Sequence, residues 1–111
     1  MAERAPVTTH ILDLVQGKPA AGVGVRLYAG DGHLAGGVTD DDGRVEAWDA
    51  AFTLTPGKYR LEFDVLPWFA GRGERSFYED VHISFRVEDT SEHYHVPLLL
   101  SPYGYSTYRG S

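Results

Sequence analysis

Hydrophobic and polar side chains alternate along much of this chain with a period of two residues. In "KYRLEFDV", residues 58–65, every second position from Tyr59 to Val65 is hydrophobic and the positions between them are charged. The segments "VHISFRV", residues 81–87, and "VGVRL", residues 23–27, repeat this alternation. Such a pattern is typical of β-strands that have one face in a core and the other in water.

Turn sequences separate the alternating segments and set the number of strands. Examples are "GDGH" at 30–33 and "TPGK" at 55–58. Short strands at this spacing predict an all-β fold, an antiparallel β-sandwich of about eight strands in two sheets. The aromatic and charged stretch 67–80 does not alternate, and we predict one short helix or turn there. The predicted strands are 8–15, 22–29, 33–39, 44–47, 58–65, 80–87, 93–101 and 103–109.

Size and composition narrow the possible functions. A chain of 111 residues is the size of one domain, so we expect residues 1–111 to form a single domain. The absence of cysteine excludes disulfides, thiol catalysis and thiolate metal sites. A net charge of −6 without any basic run argues against a nucleic-acid partner. No apolar run is long enough to span a membrane, and "MAERAPVTTH" lacks a signal-peptide core, so we expect a cytoplasmic protein.

Histidines stand on the predicted wet faces of two strands. In "HYHVPLLLS", His93 and His95 are two residues apart and share one face, whereas alternate residues from Tyr94 to Leu100 form the opposite, core face. Near the start of the chain, "TTHILDL" places His10 at the beginning of a strand. The remaining two histidines, His33 and His82, are interpreted as ordinary turn and surface residues.

These histidines could act together with arginines and a hydroxyl group. A histidine near neutral pKa can take a proton from water. An arginine can hold an anionic substrate and stabilise developing negative charge. The side chains of His10, Arg44, His95, Arg109 and Ser111 could therefore carry out a hydrolysis.

Each of these residues also has a simpler explanation. Strand histidines are more often surface residues, Arg44 follows a turn and is commonly solvated, and residues at a chain end often fray. A zinc site built from His10, His93 and His95 is conceivable, but no helical H-x-x-x-H motif supports it. No serine stands in a G-x-S-x-G context. From these residues alone, the chain is therefore interpreted as a β domain with a histidine-lined site.

Two longer segments resemble a known family. "HILDLVQGKPAAGVGV", residues 10–25, is similar to the first signature of the transthyretin-like fold. "HYHVPLLLSPYGYSTYRGS", residues 93–111, resembles the carboxyl-terminal signature of the enzymatic branch of that family, the 5-hydroxyisourate hydrolases. The segments "DDDGR", "GKYRLEFDV" and "FYEDVHISFRV" occur between them in the order of the family. The resemblance thus covers nearly the whole chain.

The resemblance implies a set of site residues. The two histidines of the family site fall on His10 and His95, and its arginine falls on Arg44 in D-G-R. The final Y-R-G-S falls on residues 108–111. The implied catalytic residues are His10, Arg44, His95 and Ser111, and the implied substrate-binding residues are Arg44, Tyr108, Arg109 and Ser111.

The resemblance also implies a reaction and an assembly. Water would open the six-membered ring of 5-hydroxyisourate at an acyl C–N bond and form 2-oxo-4-hydroxy-4-carboxy-5-ureidoimidazoline, a step of urate catabolism. No metal or cofactor is expected, because the ring carbonyl is already electrophilic. The family forms homotetramers, dimers of dimers with the sites in the channel between dimers. Ser111 would be held there, with the terminal carboxylate nearby, by Arg109 and by packing of Tyr105 and Tyr108.

Two other functions are compatible with the fold. A binding protein of the same fold would carry a hydrophobic ligand in an apolar channel, and it would need neither the histidines nor Y-R-G-S. A structural sandwich module of surface proteins would be expected to have flanking linkers or neighbouring domains. Fold alone does not decide among the three.

Overall fold

The computed structural model describes residues 4–111, and these form nine β-strands and one short α-helix. Five of the strands make one sheet and four make the other. The elements are β1 (Val7–Asp13), β2 (Lys18–Pro19), β3 (Gly24–Ala29), β4 (Gly32–Val38), β5 (Arg44–Val45), β6 (Gly57–Phe63), α1 (Val65–Ala70), β7 (Val81–Val87), β8 (Tyr94–Ser101) and β9 (Gly104–Thr107).

The two sheets enclose the hydrophobic core between them. The five-stranded sheet has the order β2-β1-β8-β9, and β5 also pairs with β1; the four-stranded sheet has the order β4-β3-β6-β7. The predicted two-sheet β-sandwich with one short helix is confirmed. The strand β2 was not predicted, because two residues are too few to show an alternation.

One strand pair differs from the predicted antiparallel arrangement. β1 and β8 run parallel, from the pair Val7–Tyr94 to the pair Asp13–Leu100. All four strands of the other sheet lie between β1 and β8 in the chain, and a connection of that length allows parallel pairing. Alternation along a strand identifies its buried face but not the direction of its neighbour, so the sequence did not predict this pair.

The helix α1 lies within the region that did not alternate. It begins at Val65, two residues before the predicted stretch, and buries Val65 and Phe69, which are four residues apart and share one face. Pro67 is tolerated because it lies in the first turn, where backbone N–H groups have no helical partner. With six residues, the helix found among residues 4–111 has neither the length nor the apolar character to cross a membrane.

Core packing follows the alternation of the sequence. The residues at every second position from Tyr59 to Val65 are buried, and so are Val81, Ile83 and Val87 of β7. Glu62 is the exception, because it lies on the predicted wet face but is only 9% exposed. Ion pairs with two neighbouring arginines satisfy this carboxylate.

Candidate active site

The parallel pair β1–β8 places two histidines on one outer face of the five-stranded sheet. Thr8 stands opposite His95, and His10 stands opposite Pro97. Successive side chains point to opposite faces of a sheet, so these residues face away from the core while Ile11 is completely buried in it. The register therefore brings the amino-terminal and carboxyl-terminal histidines of the sequence together.

A tight turn brings Arg44 to the same place. β5 pairs with β1 so that Arg44 lies opposite His10. Gly43 has a φ of +75°, and a Cβ there would lie 2.5 Å from the carbonyl oxygen of Ile11, so the turn requires glycine. The carboxylate of Asp40 accepts a hydrogen bond of 3.0 Å from the backbone N–H of Arg44. The sequence "DDDGR" thus builds the turn that delivers this arginine.

The tail, which we define as residues 104–111, folds back along β8 and reaches His95. Thr107 pairs with Leu98, and the same register continues to the pair Gly110–His95. Pro97 has no N–H, which interrupts the ladder between these two pairs. The N–H of Gly110 donates a hydrogen bond of 2.8 Å to the carbonyl of His95. The tail is therefore fixed to the strand that carries this histidine.

Gly110 lies directly against the imidazole of His95. A Cβ at position 110 would be 2.5 Å from Cδ2 of His95 and 3.2 Å from Cγ of Pro97. No side chain fits in this space, so glycine allows the tail to cover the ring. Ser111 follows immediately and is exposed, and Tyr108 is 58% exposed.

The guanidinium of Arg109 points away from the outer face that carries His10 and His95. Its guanidinium lies 4.7 Å above the ring of Tyr94, a residue of the core face, and donates to a carboxylate oxygen of Glu92 at 3.0 Å and to the carbonyl of His93 at 3.3 Å. These contacts fix the tail against the edge of the sandwich. The structure thus brings His10, Arg44 and His95 together but does not direct Arg109 to the same face.

A groove of about 280 Å³ opens on the side of the tail where Arg109 lies. Ile83 and Phe85 of β7 line it, and so do residues 107–109 of the tail. His95 borders the groove, but His10 and Arg44 do not. The groove is mostly apolar and is separate from the face on which the two histidines and Arg44 meet.

Thr8 connects His95, which lies in β8, with His93, which lies just before that strand. The Oγ1 atom of Thr8 lies 2.8 Å from Nε2 of His93 and 2.8 Å from Nδ1 of His95. The sequence predicts no role for Thr8, and it places His93 beside His95 on one outer face and as one residue of a conceivable zinc site. No signal in the sequence distinguishes this threonine from the many that occur in strands.

The surroundings of His95 favour its neutral form. Burial lowers the pKa of His95 first, and the positive charges of Arg44 and His10 lower it further. Burial also lowers the pKa of His93, and Arg4 adds to this effect. Between residues 4 and 111, the structure records no ion pair of Arg44, His10 or His95 with a carboxylate. Arg44 therefore brings a positive charge to this face that no recorded ion pair neutralises, and such a face suits an anionic ligand.

A zinc site would require His10, His93 and His95 to converge on one ion. Within residues 4–111, no group of three histidine or carboxylate side chains is placed to hold a metal ion. Thr8 hydrogen-bonds to one ring nitrogen of each of the last two histidines, Nε2 of His93 and Nδ1 of His95.

Known structures share this fold. The structure of Klebsiella pneumoniae 5-hydroxyisourate hydrolase matches with a TM-score of 0.85 and 41% identity, covering 95% of this chain and 92% of that one. Sea bream transthyretin in complex with thyroxine matches with a TM-score of 0.83 and 32% identity, covering 96% of this chain and 95% of that one. The architecture is therefore that of a transthyretin-like β-sandwich.

Sequence comparison gives the family directly. The sequence model of the HIUase/Transthyretin family matches residues 7–110, and the chain belongs to this family. A 5-hydroxyisourate hydrolase of Caulobacter vibrioides is 50% identical over 113 residues, which cover 95% of this chain and 97% of that relative.

Proposed function

We propose that this chain is a 5-hydroxyisourate hydrolase of urate degradation. The observation that carries the proposal is the meeting of His10, Arg44 and His95 on one outer face, beside the end of the tail. This face is polar and positively charged, as an anionic heterocycle requires, whereas a carrier of a hydrophobic ligand would present an apolar surface. The bacterial hydrolases at 41% and 50% identity support the same function.

The reaction is the addition of water to a ring carbonyl followed by cleavage of the acyl C–N bond. The oxygen of water bonds to the carbonyl carbon, and the carbonyl oxygen carries the negative charge of the tetrahedral intermediate. The ring nitrogen then leaves and takes up a proton. The chain must therefore supply a base for water, a cation for the oxyanion and an acid for the nitrogen.

The residues of the outer face fit these roles. His95 is kept neutral by burial and by nearby cations, so it can accept the proton of the attacking water. Arg44 binds the anionic ring and stabilises the oxyanion. His10, opposite Arg44, and Ser111, beside Gly110, orient the water and return the proton to the leaving nitrogen. The roles of these four residues remain predictions.

The tail residues have a second role in the proposal. Arg109 orders the tail through Glu92 and Tyr94, and a direct contact of Arg109 with substrate would require it to leave Glu92. Tyr108 is more than half exposed and is available to pack against the substrate or a neighbouring subunit. Ser111 completes the substrate contacts.

The assembly that we propose is a homotetramer, a dimer of dimers. β7 and β9 are the last strands of the two sheets, and neither pairs further within residues 4–111. Two open edges on a sandwich can extend into the corresponding strands of a second copy. On the outer face, Leu14 is 50% exposed and Tyr108 is 58% exposed, and a second dimer would cover them and close the site. Light scattering of the purified protein tests the number of subunits.

The proposed activity is tested by the decay of fresh substrate. Urate oxidase generates 5-hydroxyisourate, and its ultraviolet absorbance is followed with and without this protein. We expect decay well above the spontaneous rate, in proportion to the protein added. Decay at the spontaneous rate from a folded tetramer would contradict the proposal and favour a binding protein of the same fold. The expected cytoplasmic location stays a prediction that cell fractionation can test.

A further inference from the structure

A single buried hydroxyl group stands between two histidine rings. Thr8 is 2% exposed, and its Oγ1 atom contacts Nε2 of His93 and Nδ1 of His95, each at 2.8 Å. The adjacent Thr9 is equally buried, but its hydroxyl donates to the carbonyl of Val96 on the core face. The two threonines therefore differ in what their hydroxyl groups contact and not in their burial.

Counting protons restricts how this trio can be arranged. A hydroxyl group has one proton to donate, so Thr8 can donate to only one ring. The other ring must then donate its own N–H to Oγ1, since two lone pairs facing each other at 2.8 Å would repel. If both rings donated to Oγ1, the hydroxyl proton would be left without an acceptor, since these two ring nitrogens are the partners recorded for Oγ1 among residues 4–111. The hydroxyl thus couples the tautomers of His93 and His95, and the chain of hydrogen bonds can run in two directions.

The proposed role of His95 selects between the two directions. Nδ1 of His95 faces Thr8, so Nε2 is the ring nitrogen through which His95 can act on water. A base needs a lone pair on that atom, so the single proton of the neutral ring is on Nδ1 and is donated to Oγ1 of Thr8. Nε2 of His93 then carries a lone pair and must accept from Thr8.

We propose that Thr8 is a positioning residue that fixes His95 as the tautomer protonated on Nδ1 and leaves Nε2 free to take the proton of the attacking water. The hydrogen bonds run from Nδ1–H of His95 to Oγ1 of Thr8 and from the hydroxyl of Thr8 to Nε2 of His93. When water is deprotonated, its proton goes to Nε2 of His95, and Nδ1–H stays bonded to Thr8. The inference rests on the proposed hydrolase function.

The charges around His95 also disfavour the addition of a second proton to its ring. Unfavourable electrostatic interactions with four other groups add to the effect of burial and lower the pKa of His95, and Arg44 of β5 has the largest effect among them. The other three are His10 of β1, His93 before β8, and Arg4. The hydrogen bond to Thr8 therefore selects the nitrogen that carries the proton, and these charges keep the second nitrogen unprotonated.

The first test compares three variants of the two threonines. Thr8→Val keeps the shape and loses the hydroxyl, Thr8→Ser keeps the hydroxyl, and Thr9→Val removes an equally buried hydroxyl that contacts neither ring. We expect Thr8→Val to lower kcat about tenfold to a hundredfold with KM little changed, as for the loss of a partner that orients a reactive histidine. Thr8→Ser and Thr9→Val should stay within about threefold of the wild type. If Thr8→Val were as active as Thr9→Val, the inference would be overturned.

The second test determines the tautomer of His95 by NMR and does not depend on enzymatic turnover. Long-range ¹H–¹⁵N NMR spectra of the wild-type protein near pH 7.5 distinguish a protonated from an unprotonated ring nitrogen. We expect a protonated Nδ1 and an unprotonated Nε2 for His95, and a mixture of tautomers in Thr8→Val. A proton on Nε2 of wild-type His95 would overturn the inference, even if Thr8→Val fails to fold. A wild-type protein without hydrolase activity but with the expected tautomer would instead count against the proposed function.

Discussion

The two outer faces of the sandwich carry similar residue types but differ in how their charges are paired. On the four-stranded sheet, Arg26 and Arg60 bind Glu62, and Arg26 also contacts Asp64 at 2.6 Å. On the five-stranded sheet, His10, Arg44 and His95 meet with no recorded carboxylate in ion-pair distance among residues 4–111. One face has its cations and anions in ion pairs, whereas the arginine of the other face has no recorded ion pair.

The pairing changes what each face can do. Hydrogen bonding to Asp64 raises the pKa of Arg26, and burial tends to raise the pKa of Glu62 but hydrogen bonds from Arg60 and Arg26 lower it overall. These groups are held in their charged forms by one another. His95 instead has a lowered pKa and a neutral ring. A face that satisfies its own charges stabilises the fold, whereas a face whose arginine has no recorded ion pair is suited to bind an anion.

The largest expected effect comes from removing the base. His95→Gln keeps a polar side chain but cannot accept a proton from water, so we expect the rate of hydrolysis to fall about 10²- to 10⁴-fold. His82→Gln is the matched control, because His82 lies on the other face, where it contacts Asp80 at 2.6 Å. Its rate should stay near that of the wild type. Equal losses in both variants would show that the two faces do not differ in function.

The contact between the tail and His95 should have the next largest effect. In Gly110→Ala, the Cβ would overlap the ring and displace either the ring or the tail. We expect a loss of at least about tenfold in kcat/KM, because small displacements of reacting groups are costly. Gly104→Ala is the control in the same tail, since its Cβ would approach only the Oγ of Ser101, at 3.7 Å. A Gly110→Ala variant as active as Gly104→Ala would contradict the placement of the tail.

A substitution on the outer face of the four-stranded sheet, where the charges form ion pairs, should change the stability of the protein and not its activity. Glu62→Gln leaves two arginines without their buried carboxylate, and we expect the free energy of unfolding to fall by about 1–3 kcal/mol. Urea denaturation measures this change, and the rate of hydrolysis should remain within about twofold once the protein is folded. Glu88→Gln removes a 3.9 Å ion pair whose side chains are largely exposed, and its stability should match the wild type. Loss of hydrolysis in folded Glu62→Gln would place part of the site on this face.

The smallest expected effect is a shift in pH dependence. The folded-state pKa of His95 lies below its usual value of about 6.5, so the rate should fall with decreasing pH only below that value. The unfolded chain binds this proton more readily, so stability should also decrease as the pH falls below about 6.5. Arg44→Met removes a nearby positive charge and should raise the pKa of His95, whereas Arg86→Met on the other sheet should not. NMR titration of the ring follows both variants, and an unchanged pKa in Arg44→Met would contradict the electrostatic account.

The sequence predicted the strands better than their partners. Alternation identified the buried positions of β6 and β7, because burial of one face imposes a period of two. It could not reveal that β1 and β8 run parallel, since the period is the same in both directions. That pair is what aligns His10 with His95. Their joint action was therefore a hypothesis from residue types alone, and the resemblance to a family assigned both to one site.

The least predictable part of the site depends on side-chain contacts. The hydroxyl of Thr8 lies between two rings because β1 and β8 have one particular register. Arg109 points toward Tyr94 because the tail continues the register of β9, which places residues 109 and 110 on opposite faces. Neither contact has a signature in composition or spacing.

We propose above all that the outer face of the five-stranded sheet and the tail form a single hydrolytic site. The most direct test is the decay of freshly generated 5-hydroxyisourate with the wild-type protein and with a chain lacking Ser111, at equal concentration and after confirming equal folding and assembly. We predict rapid decay with the wild type and decay near the spontaneous rate without Ser111. Equally rapid decay with both proteins would mean that Ser111 has no part in the reaction and would contradict the claim.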